Sequence, residues 1–121
     1  MATANKVIER VDAMKPNAYT DDDKYRWISN LDGVVSLQVM EMEEPVVYEM
    51  PRDADKELLV KAPFDEIYEL YVSAMIDYHN REYNNYNNVA LMFQEKLEQY
   101  KAWYARTDAN VKARNFRNVM G

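Results

Sequence analysis

Cysteine is absent from this chain, histidine occurs once, glycine twice and proline four times. The missing thiols exclude a disulfide framework and any thiolate metal site, and a lone His79 excludes a multi-histidine metal centre within one chain. Glycines as far apart as Gly33 and Gly121 leave no glycine-rich phosphate loop. Scarce glycine and proline beside plentiful Glu, Lys, Ala, Met and Leu favour helix over a turn-rich β architecture. No apolar run approaches the roughly 20 residues of a membrane span, and the stretch Met1 to Lys6 lacks the apolar core of a signal peptide. The expectation is a protein that works inside a cell, or is assembled there, with no membrane partner. Positive charge is also short. Fifteen Lys and Arg against 21 Asp and Glu leave −6, which argues against broad nucleic-acid binding, since that needs cations facing phosphates.

What is present is a chain of 121 residues, enough for one domain with one core. The charge is uneven. Asp21-Asp22-Asp23, Glu41 to Glu44 and Asp53 to Glu57 are acidic blocks, whereas after residue 105 four cations (Arg106, Lys112, Arg114 and Arg117) stand against Asp108 alone, leaving +3. A solvated acidic body with a loose basic tail is one reading. The other docks residues 107–121, with Arg106, on an acidic surface of another subunit.

Helical periodicity organises most of the rest. Val7, Ile8, Val11 and Met14 make a first short helix over Ala4 to Met14, with Thr3 or Asn5 as cap and Lys15-Pro16 as stop. Thr20 can cap a second helix whose three aspartates meet the positive end of the helix dipole. Its stripe, Ile28, Leu31, Val35, Val39 and Met42, predicts a helix to about Glu43, with Gly33 inside it at a cost of about 1 kcal/mol. A competing reading ends that helix at Asp32-Gly33 and makes Val34 to Met42 a strand, but the unbroken period favours helix. Residues 44–63 hold three prolines and an acidic run, and so read as an extended arm or loop. Its two short apolar runs, Val46-Val47-Tyr48 and Leu58-Leu59-Val60, could pair as a hairpin or bind along a neighbouring chain. A helix then opens near Asp65, with Ile67, Leu70, Tyr71, Ala74, Met75 and Tyr78 on its apolar face. The last helix shows Tyr86, Phe93, Leu97, Tyr100 and Tyr104 at steps of three and four. Together they predict an all-α fold: a small helical bundle built on a long antiparallel hairpin, in one domain over 1–106.

The stretch EYNNYNN, Glu82 to Asn88, falls between those two helices. Asparagine prefers caps and turns, so the cluster marks the hairpin corner and a polar helical face, with Asn80 or Asn84 as the capping residue. His79 with Asp77 and Glu82 is the only acid–base grouping, and a polar contact within one helix explains it. No catalytic residue, cofactor or metal site is expected. Ten tyrosines and eight methionines suit a protein that makes broad contacts with neighbours.

Three segments taken in order carry a resemblance: YTDDDKYRWISNLDG (Tyr19 to Gly33), KELLVKAPFDEIYELY (Lys56 to Tyr71), and EYNNYNN followed by F, Y and KAWY (Glu82 to Tyr104). Over Tyr19 to Tyr104 the chain resembles the small helical head–tail connector, or adaptor, proteins of tailed phages and prophages of Gram-positive bacteria. The resemblance implies a structural subunit, not an enzyme, that joins a closed ring of copies below the portal protein. It would meet a tail or head-completion protein on the other side, with DNA only as passing cargo. The location implied is the virion's head–tail junction, reached from the host cytoplasm. An assembly chaperone, a tail-side protein or a small nucleic-acid-binding regulator are the alternatives. In the connector reading Val46, Val47, Tyr48, Leu58 and Leu59 of the arm, and Arg106, Lys112, Arg114 and Arg117 of the tail, are the expected contact residues. The segment after Arg106 lies outside the resemblance.

Overall fold

The computed structural model describes the backbone of residues 1–120 and the side chains of residues 1–112. Among the described residues four helices follow one another: α1 (Ala4–Met14), α2 (Asp21–Gln38), α3 (Glu66–His79) and α4 (Tyr83–Met120). The all-α expectation holds. Among the described residues the one β contact is an isolated antiparallel bridge between Thr3 and Glu57.

The caps form where the local chemistry asks for them. Thr3 Oγ1 accepts the N–H of Lys6 at 3.2 Å, and Thr20 Oγ1 accepts that of Asp23 at 3.2 Å, each satisfying a first-turn donor with no partner inside the helix. α2 passes through Gly33 without a break, so the strand alternative for 34–42 fails. The helix nevertheless stops at Gln38, short of Glu43. There the N–H groups of Met40 and Met42 turn back to the carbonyls of Val35 (3.0 Å) and Ser36 (2.9 Å), and Glu41 takes a left-handed φ of 55° that a helix cannot continue through. Met42, placed on the buried stripe by its spacing, is exposed as a result, and Met14 is exposed as well.

The hairpin corner is tighter than the asparagine cluster suggests. Asn80 ends α3 and does not start α4. Arg81 adopts a φ of 61°, and the N–H groups of Arg81 and Glu82 bond to the carbonyls of Tyr78 (3.0 Å) and Asp77 (2.9 Å). This pair of bonds around a left-handed residue is the Schellman closure. Asn84, Asn85, Asn87 and Asn88 then lie exposed on the first turns of α4. Asp65 precedes α3 but makes no side-chain capping bond.

α3 and α4 pack along each other as the predicted antiparallel pair, and α1 and α2 both pack on α3. The core holds Val7, Ile8 and Val11 of α1, Trp27, Ile28, Leu31 and Val35 of α2, Ile67, Tyr68, Val72 and Ile76 of α3, and Phe93 and Tyr100 of α4. On α3 the deepest residues are Ile67, Tyr68, Val72 and Ile76, whereas Leu70, Tyr71 and Met75 are half-buried and Tyr78 is exposed. α3 is enclosed by three neighbouring helices, so its buried arc is wider than one amphipathic stripe.

By a rise of 1.5 Å per residue α4 is about 57 Å long against about 21 Å for α3. Phe64, just before α3, meets Tyr100 and Trp103 with ring centroids 5.5 Å apart in both cases, so the hairpin's shared length ends there. α4 continues past Arg106 as one helix, so the boundary drawn at 106/107 does not coincide with the end of an element.

Candidate interaction surface

The segment 44–63 is where the structure departs most from the sequence reading. It does not extend away from the body. Leu58 and Val60 are fully buried and Tyr48 nearly so, which removes Tyr48 and Leu58 from the surface a neighbour could reach. The two apolar runs form no hairpin. The segment is stitched to the N-terminus instead, with the Leu58 N–H on the Ala2 carbonyl (2.9 Å) and the Asn5 N–H on the Ala54 carbonyl (3.1 Å).

A buried carboxylate holds it from the other side. Asp32 projects from the middle of α2 with no solvent exposure. Its Oδ2 accepts the Tyr48 hydroxyl at 2.5 Å and the Leu59 N–H at 3.1 Å, and its Oδ1 accepts the Tyr68 hydroxyl at 2.5 Å. The Tyr68 oxygen in turn accepts the Val60 N–H at 2.8 Å. Burial raises the Asp32 pKa, working against the lowering effect of the two tyrosines and the Leu59 N–H. Burial, together with the neighbouring carboxylate, pushes both phenols upward, so Tyr48 and Tyr68 stay protonated donors. The arrangement fastens α2, α3 and the loop to one another, and each of these polar groups is satisfied. One turn further along α2, the equally buried Ser36 Oγ donates to the Gly33 carbonyl (2.7 Å) and accepts the Val46 N–H (3.0 Å).

Of the arm residues expected to make contacts, Val47 is exposed, while Val46 and Leu59 are half-buried. Val47 and Pro45 stand beside Val34 and Leu37 of α2, and these line one shallow groove. On the other flank of the α3–α4 hairpin a cleft of about 230 Å³ opens between α1, α3 and α4, walled by Val11, Met14, Leu70, Val89 and Met92. Arg106 and Lys112 are exposed on α4, with Lys112 paired to Asp108 at 3.0 Å. Arg114 and Arg117 lie outside the residues with described side chains.

His79 does not pair with Glu82. Its ring stacks on Trp27 with centroids 5.5 Å apart and 10° between planes, and Tyr19 and Tyr78 flank it. Among the described residues no group of three or more His, Asp or Glu side chains is close enough to hold a metal ion. No described helix is long and apolar enough to cross a membrane. Comparison of the chain with protein-family models, curated proteins and solved structures finds no match.

Sequence reasoning missed Asp32 as a hub. A sign was available: an aspartate on the buried side of an apolar stripe needs donors, and buried tyrosines are the usual supply. The exposed face of α2 was missed for a different reason. Val34 widens the stripe in sequence, but the loop at 45–48 decides which part of that width stays outside.

Proposed function

We propose that this protein is a structural subunit of a phage head–tail connector, assembling with copies of itself beneath the portal and handing on to a tail or head-completion protein. The single observation that carries the reading is the overhang of α4. Beyond Tyr104 the helix runs on for about 25 Å, and every residue from Ala105 to Lys112 except Asp108 is exposed. A polar helix segment as exposed as 105–112 has little stability of its own and is characteristic of a segment that bridges to another body. Its +3 charge suits an acidic partner surface, while the acidic remainder suits a channel past which DNA slides without being held. The resemblance over Tyr19 to Tyr104 supports the portal as that partner.

Mass spectrometry of purified virions is the direct test. The chain should be present in particles at a level comparable with the portal protein. Its absence from finished particles would refute the connector reading in favour of an assembly chaperone, and salt-sensitive binding to duplex DNA at sub-micromolar concentration would favour a regulator.

A further inference from the structure

The asparagine-rich corner between α3 and α4 has a composition that the fold itself does not call for. Tyr78 (50% exposed) and Tyr83 (55%) stand out from it, among the exposed amides of Asn84, Asn85, Asn87 and Asn88. Asn87 and Asn88 lie past the first turn of α4, where an asparagine caps nothing and forms helix poorly. Glu, Lys or Gln would solvate the same face at less cost to the helix. From Tyr78 to Gln94 the permanently charged groups are Arg81 and Glu82, adjacent and opposite in sign. Charge returns only in the neighbouring stretches, at Asp21 to Asp23 on α2 and at Glu95 on α4. In a chain that is 30% charged, a stretch with tyrosine and arginine, no lysine and a single acid has the composition of an interface centre. The surface is also preorganised. The Tyr78 ring packs against those of His79 and Tyr86 with centroids 5.4 Å apart in both cases, and against Tyr83 at 6.4 Å. His79 in turn stacks on the buried Trp27, and the Tyr19 hydroxyl donates to Asn80 Oδ1 at 2.8 Å. The rings are thus held before any partner arrives, and little conformational entropy remains to be lost in a contact.

Resting on the connector reading, we infer that this corner is the surface that meets the tail-side protein, and that it takes a partner surface of uncharged hydrogen-bonding groups. A connector joins two bodies, and α4 has two unlike ends. The 1.5 Å rise per residue puts Tyr83 about 35 Å from Arg106, so the corner and the basic overhang serve different contacts. The overhang's cations call for an acidic surface. The corner has one cation, already beside Glu82, and calls for none. The same shortage of cations argues against nucleic acid, which needs them facing its phosphates. What the corner offers is amides, each with donors and an acceptor, and phenols that join a flat apolar ring to a hydroxyl. Exposed peptide groups and Ser, Thr, Asn or Gln side chains answer that chemistry. A Lys, Asp or Glu arriving there would lose water without finding a counter-ion. A contact of this kind is short-ranged and changes little with salt, unlike that of the overhang.

Two paired substitutions test this. Asn84→Glu with Asn88→Glu puts charge into the patch while suiting a helix whose N-terminal end favours acids. Asn84→Gln with Asn88→Gln keeps the amides and is the control. Each pair is supplied to a phage whose own copy of the gene is deleted, and the purified variants should share the wild-type circular dichroism. The Glu pair should give heads that contain portal and this chain but carry no tail, with infectious titre lower by roughly tenfold or more. The Gln pair should stay near wild type. Untailed wild-type heads mixed with purified tails should join equally well at low and high salt. Normal tailing with the Glu pair, or heads from which the Glu-pair chain is missing, would overturn the corner as the tail-side surface. Joining that collapses at high salt would overturn its neutral chemistry. The connector reading is scored separately, by the composition of wild-type particles. Particles that contain the chain, together with normal tailing by the Glu pair, refute only the corner. A tailing defect, together with wild-type particles that lack the chain, refutes only the connector.

Discussion

Removing the Tyr68 hydroxyl should cost more than removing that of Tyr48, although both hydroxyls donate to the same buried carboxylate. Tyr48→Phe deletes one bond to Asp32, and a hydrogen bond to a charged group contributes about 1.5–3 kcal/mol. Tyr68→Phe deletes an equivalent bond and also the acceptor of the Val60 N–H, leaving a buried donor unpaired at a further cost of about 1–3 kcal/mol. The expected losses are thus about 1.5–3 kcal/mol for Tyr48→Phe and about 2.5–6 kcal/mol for Tyr68→Phe, large against the roughly 5–15 kcal/mol of a typical domain. The pH dependence follows from the raised Asp32 pKa. A carboxyl whose folded pKa lies above its unfolded value of about 3.9 favours the protonated native state, so its contribution to stability falls as pH rises from the unfolded towards the folded pKa and is level above it. A donor to the ionised carboxylate contributes more than a donor to the neutral acid, so the cost of Tyr48→Phe should rise with pH as Asp32 ionises in the folded protein. Urea unfolding followed by fluorescence of the buried Trp27 measures both variants across a pH series. Equal losses for the two variants, or losses below about 0.5 kcal/mol, would refute the hub. A Tyr48→Phe cost that grows on acidification would refute the carboxylate as the group that the Tyr48 hydroxyl stabilises.

Gly33→Ala should stabilise the protein by about 0.5–1 kcal/mol, because the new Cβ would meet only the Val46 carbonyl at an ordinary 3.6 Å; thermal unfolding that shifts downward would show that this helix position does not tolerate a side chain. Leu31→Ala, at a buried site, should cost about 2–5 kcal/mol, and Leu97→Ala distinctly less, because Leu97 is only half-buried; denaturation midpoints in the reverse order would contradict the packing. Arg114→Glu with Arg117→Glu should weaken co-sedimentation with portal, and wild-type binding should weaken with added salt, since exposed charges separated by more than about 8–10 Å are screened at ordinary ionic strength. Binding that is equal for both proteins at every salt concentration would remove the tail's electrostatic role.

The elements that could be read from sequence were those whose cause is local. Thr20 followed by three aspartates specifies a helix start by hydrogen bonding and dipole alone, and the 3–4 spacing from Phe93 through Leu97 to Tyr100 specifies a helix face without reference to the rest of the chain. The stop of α2 at Gln38 was not readable in this way. Glu41 has no preference for a left-handed φ, and the turn there follows from the Met42 N–H reaching the Ser36 carbonyl and from the Ser36 hydroxyl receiving Val46. The segment 44–63 is a loop, as its prolines suggest, but that it packs inward and does not reach out as an arm was unreadable for the same reason. Its prolines and acidic run report local conformation, whereas its burial depends on Asp32 at a separation of 27 residues from Leu59 and on Ala2 at the far end of the chain.

The buried polar cluster also sets the order of the loop it holds. Val47 is 74% exposed, yet its neighbours on either side are fixed: the Val46 N–H on the Ser36 hydroxyl, and the Tyr48 hydroxyl on Asp32. Both anchors belong to α2, the helix that carries the exposed Val34 and Leu37. The loop at 45–48 is therefore held to that helix as one unit, and the ordering cost of the stretch is met when the chain folds. The two roles of the network, stability and local order, separate experimentally. Tyr48→Phe should speed amide exchange at Val46 and Val47 even under conditions where the protein remains folded. Ser36→Ala, which frees the Val46 side of the same anchor, should act in the same direction. Unchanged exchange in both variants would mean that the loop holds its shape without the buried carboxylate, and that Asp32 contributes to global stability alone.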